Sequence, residues 1–325
     1  MKYSICLTAA LLTISHYAYA GNNTLDMPTS PKGNKSILEF QSNKDFYGAC
    51  DFAVKQARSG ADGSFYYYAA TCHDKYKNIS VSNSEHVTWL TTASKKGHHG
   101  AYSKLGKLYE AGLIVKGDPK KSIDLYRKAL KHHKKLESIP QSFVESFFKS
   151  TNSKINELLL YTDCDLSTTK VFNKNLKCLE RSSMKSAITE NGGDLIKQTQ
   201  NIDVYESSKL LEHSKTLSVF YTDNNDFACM QYEISNFKSL STPEKLTALL
   251  IDKYGRPSSR NTKLRNGGAI KWFLKDGIDI RLTKNILLTR LTYCNPAYEK
   301  IFLSEKRNRE SKTMHTERLK MNDSI

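Results

Sequence analysis

Ala101-Tyr-Ser-Lys-Leu-Gly-Lys-Leu-Tyr-Glu-Ala-Gly112, followed by Asp118-Pro-Lys-Lys-Ser-Ile-Asp-Leu-Tyr-Arg-Lys-Ala-Leu130, decides the architecture. Both runs carry apolar residues at helical spacing. Leu105, Leu108 and Tyr109 share one face of the first, and Ile123, Tyr126, Ala129 and Leu130 one face of the second. Gly106 and Ala129 are small where two helices need close approach. A single helical hairpin cannot bury its own apolar face, so it implies neighbours.

Working outward, Phe46 to Ala57 predicts a helix with Phe46, Cys50, Phe52, Ala53 and Ala57 inward. A second runs from Gly63 to Lys77, and a third from Ser84 to Lys96 with Val87, Leu90 and Ala93 inward. Gly60-Ala-Asp-Gly-Ser64 parallels Gly97-His-His-Gly-Ala101 at a shift of 37 residues. Trp89-Leu-Thr-Thr-Ala93 parallels Leu125-Tyr-Arg-Lys-Ala129 at 36. Here the chain resembles the Sel-like repeat family, relatives of the tetratricopeptide repeat. The family's Ala-x3-Leu-Gly-x2-Tyr-x2-Gly helix is complete as Ala101, Leu105, Gly106, Tyr109 and Gly112. Asp118 stands before the second helix, and Lys121 to Ala129 follows the family's run with Ser122 for Ala and Leu125 for Trp. The preceding repeat is degenerate. The resemblance covers Phe46 to Leu136 and implies a helical-repeat scaffold for protein–protein interaction. With so few repeats, flanking helices must cap the array, and Ser142 to Leu160 is the expected cap.

From about Lys185 the pattern changes to period two. Thr216–Thr222 and Phe227–Ile234 alternate like strands around the turn Asp223-Asn-Asn-Asp226. A helix from Thr242 to Tyr254 follows, then strands Ala269–Leu274, Ile278–Leu282 and Leu287–Tyr293. The fold expected is α+β: an all-α helical-repeat solenoid, then an α+β domain with an antiparallel sheet and one packed helix.

The N-terminus reads as a cleaved secretory signal: Lys2, a short apolar run and Ala18-Tyr19-Ala20. The run is too short for a membrane span, and no later stretch reaches that length. Removing the signal leaves Cys50, Cys72, Cys164, Cys178, Cys229 and Cys294, an even count that suggests disulfides in an oxidising compartment. Their clustering suggests one staple per region, Cys50–Cys72, Cys164–Cys178 and Cys229–Cys294, although sequence cannot fix the connectivity.

The formal charge is +16. Between Lys95 and Lys135 twelve Lys/Arg face three acidic residues, Glu110, Asp118 and Asp124. The candidate partner-binding residues are therefore Lys104, Lys107, Lys120, Lys121, Arg127, Lys128 and Lys131, with Tyr102, Tyr109 and Tyr126 as contact area; Lys134 and Lys135 lie beside them. Such a surface suits an acidic protein segment or an envelope polyanion. No nucleic-acid-reading motif is present, and the signal disfavours intracellular nucleic acid.

Catalytic motifs are absent, whether nucleophile elbow, phosphate loop or dinucleotide glycine pattern. Asp276 and Asp279 by a hairpin, and Glu110 at a helix end, make no convincing acid–base pair. Of Trp272 and Phe273, adjacent on a strand, one is expected in the core. His98-His99 and His132-His133 lie 34 residues apart and could approach each other, but they read as exposed helix-end histidines rather than metal ligands. No metal or cofactor is expected.

The organisation expected is a signal peptide at 1–20, a flexible leader at 21–44, the repeat domain at 45–160, a disulfide-bearing connector at 161–184, the α+β domain at 185–302 and a disordered basic tail at 303–325. The function expected is a non-enzymatic, periplasmic or secreted scaffold for protein–protein interaction. A binder of envelope polyanions or secreted virulence-type factor is the alternative, and an enzyme with its site in the α+β domain the second alternative.

Overall fold

A computed structural model describes Phe40, Asn43 and residues 45–60, 63–75, 81–133, 141–236, 242–260, 268–285 and 287–322. The signal peptide, nearly all of the leader, Lys134 and Lys135 lie outside the described residues. The fold is α+β, with helices leading and an antiparallel sheet following. The chain forms two compact units. One comprises residues up to Leu108 with Lys121–Ile155; the other comprises Tyr109–Lys120 with Asn156–Ile325.

The first unit is helical: α1 (Phe46–Arg58), α2 (Gly63–Lys75), α3 (Asn83–Lys95), most of α4 (His99–Ala111) and α5 (Pro119–His133), and the start of α6 (Gln141–Thr162). Local chemistry sets the ends. Asp45 caps α1 through the Gly48 amide at 2.8 Å. Ser82 and Glu85 form a reciprocal capping box on α3. Gly60 (φ +81°) and Gly97 (φ +89°) follow α1 and α3 in the left-handed conformation that ends helices. These are the paired glycines of the sequence parallel. Gly106 lets α5 approach: a Cβ there would lie 2.9 Å from the Tyr126 ring, and Ser122 Oγ donates to the Gly106 carbonyl at 2.8 Å. The Cys50–Cys72 disulfide joins α1 to α2.

The second unit is an eight-stranded antiparallel sheet in the order β3-β4-β5-β6-β10-β9-β8-β7. Its strands are β3 (Asp194–Gln198), β4 (Ile202–Glu206), β5 (Ser214–Tyr221), β6 (Phe227–Ser235), β7 (Ser259–Arg260), β8 (Ala269–Phe273), β9 (Asp279–Lys284) and β10 (Leu288–Cys294). A small hairpin, β1 (Lys170–Val171) and β2 (Lys174–Asn175), precedes it. Period-two alternation sends Leu217, Val219, Met230, Tyr232, Trp272, Ile280 and Leu291 into one large core. That face is covered by α7 (Arg181–Glu190, through Met184 and Ile188) and α8 (Thr242–Tyr254, through Leu246 and Leu250). On the opposite face α9 (Pro296–Asn322) packs Tyr298, Ile301 and Phe302 against Ala228, Ile202 and Phe220.

Four expectations change. The sheet carries three packed helices, not one. The segment at 303–325 is helical through Asn322 rather than disordered. The irregular connector contains β1–β2, whose turn residues Phe172 (φ 52°) and Asn173 (φ 60°) are left-handed. Residues 109–120 belong with the sheet unit instead of the repeat domain. There Ser304 Oγ donates to the Gly112 carbonyl, Asn224 Nδ2 to the Gly117 carbonyl and Lys116 Nζ to the Asp223 carbonyl. The three disulfides are those the clustering suggested; they fit an oxidising, non-cytoplasmic setting. No described helix is long and apolar enough to cross a membrane.

Candidate functional site

Amphipathic patterning places the predicted cations. On α5, Ile123, Leu125, Tyr126 and Ala129 are buried, so Lys120, Lys121, Arg127, Lys128 and Lys131 fall on the exposed side. Asp124 is the one acidic residue of that helix and pairs with Lys128 at 2.8 Å. On α4, Lys107 is exposed, whereas Lys104, Tyr102 and Tyr109 are half-buried. Tyr102 stacks on His132 at 5.1 Å. Tyr126 is buried under Gly106 and serves packing.

The histidines are not the exposed helix ends anticipated. His98, His99 and His133 are 7%, 5% and 1% exposed. His99 opens α4 and His133 closes α5, and after the connection at 112–118 the beginning of one helix lies beside the end of the other. His99 lies 4.6 Å from His133, and His133 lies 4.4 Å from Phe147, between ring centres. His98 stacks on Tyr67 at 3.9 Å, and its Nδ1 accepts the Ala101 amide at 3.3 Å, which requires an unprotonated nitrogen. Burial, then the charge of His99, pushes His98 down to about 3. Burial, then the charges of His133 and His132, pushes His99 down to about 4. Burial lowers His133 as well. These are neutral core histidines. Among the described residues, the grouping of potential metal-binding atoms within 4.8 Å of one another is Cys229, Cys294 and Glu299, and its two cysteines are joined in a disulfide.

Trp272 is 1% exposed and donates through Nε1 to the Gly255 carbonyl at 2.9 Å; Phe273, beside it, faces out. The carboxylates nearby are structural. Asp276 accepts the amides of Thr168 and Thr169 at 2.9 and 2.7 Å. Burial pushes its carboxyl up, but those hydrogen bonds outweigh burial and hold it below its usual value. Asp279 and Glu299 together clasp Arg281, whose charge is fixed first by the Glu299 hydrogen bonds.

A cleft of about 820 Å³ opens in the second unit. The Cys164–Cys178 disulfide, the first turn of α7 and the β5–β6 turn form its wall, with Lys120, Lys177 and Lys185 among the lining residues. Arg181 builds the frame. Its guanidinium clasps the fully buried Asp203 at 3.0 and 2.5 Å, donates to the Thr199 and Gln200 carbonyls and to Asn225 Oδ1, and lies 4.9 Å over the Tyr221 ring. All five donors are engaged, so Arg181 positions the wall and is not offered to a ligand. Lys177, 2% exposed, donates to the Leu160 carbonyl at 2.8 Å. Burial lowers its pKa, opposed by Asp276 and Asp163. The sequence marked Lys120 for its charge, Cys164 and Cys178 as a disulfide and 223–226 as a turn, but no motif brought these separate segments together as a site. No family model, curated protein or solved structure matches this chain.

Proposed function

We propose that the chain is an exported, disulfide-stapled scaffold of Sel-like helical-repeat type, non-enzymatic, that captures an acidic protein segment on its cationic helix. One observation carries the reading: the exposed side of α5 carries Lys120, Lys121, Arg127, Lys128 and Lys131, and the helix contains one acidic residue, Asp124. Oppositely charged surfaces raise the encounter rate and select partners more than they add affinity. Capping by the neighbouring helix α6 and the Gly106–Tyr126 approach support a stacked-repeat origin for the unit. Three disulfides support export.

The test uses a fluorescent Glu/Asp-rich peptide and the full chain with Lys121, Arg127 and Lys128 changed together to Glu. Capture is expected to weaken about tenfold or more and to lose most of its salt dependence. Unchanged capture by the triple variant removes α5 as the docking helix. Co-sedimentation with anionic polysaccharide, in the absence of any peptide preference, moves the reading to an envelope polyanion.

A further inference from the structure

The cleft of the second unit shares Lys120 alone with the cationic side of α5. At about 820 Å³ it lies within the range of small-molecule sites, roughly 300–1,000 Å³. Three features of its wall agree in sign. First, Lys177 is 2% exposed, yet its ammonium has one hydrogen-bond acceptor, the Leu160 carbonyl, and forms no ion pair among the described residues. An ammonium has three donors, and burial lowers the Lys177 pKa even against the attraction of Asp276 and Asp163, so the charge is incompletely compensated. An anion in the cleft supplies what the fold does not.

Second, Lys120 and Lys185 stand exposed on the same wall. Arg181 is already neutralised by Asp203, so these three lysines face Glu180 and Asp226. Burial raises the Asp226 carboxyl, against the Thr222 hydrogen bond and the charge of Lys120. Third, Arg181 and Ser182 bring the first turn of α7 into the lining, and the N-cap residue Glu180 makes no side-chain capping bond. The open amides of that turn add the positive end of the helix to the lysines. Gln198, Asn224 and Asn225 contribute neutral hydrogen-bonding groups, and Phe227 and Tyr298 an apolar patch.

We propose that this cleft binds a small phosphate ester, with the phosphate among Lys177, Lys185 and Lys120 and the uncharged polar body against the side-chain amides. A doubly charged oxyanion matches three ammonium groups better than a carboxylate does, and the volume accommodates a sugar-sized body. The same chemistry occurs on a soluble sugar phosphate and on a phosphomonoester lipid headgroup.

Isothermal titration of the full chain with glucose 6-phosphate, and with glucose as the uncharged control, reads the site directly. Binding of the ester and none of glucose is expected. Lys185→Ala, on an exposed helical position, is expected to weaken binding about tenfold, the scale of a charge-assisted hydrogen bond. Lys177→Met is expected to abolish it; if that variant fails to fold, Lys185→Ala decides. Vesicles of phosphatidylcholine with and without phosphatidic acid separate the two sources: retention that needs phosphatidic acid, is lost in Lys185→Ala and is competed by glucose 6-phosphate assigns the headgroup. The α5 triple variant is expected to keep full ester affinity, which separates the cleft from the scaffold reading. The proposal is overturned if neither phosphate probe binds, if glucose binds equally, or if binding survives the lysine substitutions.

Discussion

The two units bury different things. The first fills its interior with small residues, among them Ala49, Ala53, Ala69, Ala70, Ala93, Ala101 and Ala129, and with buried His86, His98, His99 and His133. The second fills one face of its sheet with Tyr205, Tyr221, Phe227, Met230, Trp272 and a set of Leu, Ile and Val, and no histidine is buried there among the described residues. Alanine lets helices approach closely but removes little apolar area from water, whereas large side chains supply more of the hydrophobic term per residue. One unit therefore depends on close fit and on a neutral histidine core. The other depends on apolar volume and is indifferent to mild acid.

The two tryptophans, Trp89 on α3 and Trp272 on β8, fall one in each unit, so each can report separately. The largest effect expected is Trp272→Ala. Emptying that fully buried position costs about 4 kcal/mol. Hydrogen exchange should show it in β5, β6 and β10 while α3 keeps its protection. Equal loss in α3 would mean that the units unfold as one, which breaks the comparison.

Acid is next. The folded-state pKa values of His98 and His99 are depressed to about 3 and about 4, while the unfolded value is about 6.5. The unfolded chain therefore takes up protons first as pH falls. Stability is complete above about 6.5 and declines below it, by about 2 kcal/mol for each of the two histidines by about pH 5. Trp89 fluorescence in a Trp272→Phe background should report a falling denaturation midpoint over that range. Trp272 in a Trp89→Phe background should not, since Asp226 and Glu305, raised by burial, favour protonation in the fold. A flat Trp89 profile would sink the histidine-core account.

The smallest effect sharpens the same contrast. Ser82→Ala removes half of the capping box on α3 and costs about 1 kcal/mol. In a unit with an alanine-rich core that loss should be visible by Trp89 fluorescence. It should leave Trp272 unmoved.

Much of this was legible in one dimension because it is periodic. Spacing of 3.6 located α1 to α6 and α8; spacing of two located β5, β6 and β8 to β10; and glycines 60 and 97 stood out as a repeat pair, which the fold places at helix ends. Cysteine clustering suggested the staples, since each pair closes within its own unit. Other elements left no such trace. Strand β3 is exposed at every position and so has no alternation to read, and α7 begins at Arg181, after the N-cap residue Glu180, without a side-chain cap. Helix α9 beyond Phe302 is polar nearly all round and resembles a tail. Tertiary structure alone decided the rest. The histidines were visible as doublets, yet their burial follows from where the start of α4 meets the end of α5. The cleft draws on residue 120, on 162–185, and on positions 198, 224–227 and 298. Local pattern reports which way a side chain faces on its own helix or strand. A pocket, a buried charge or a shifted pKa depends on which distant segment arrives opposite it.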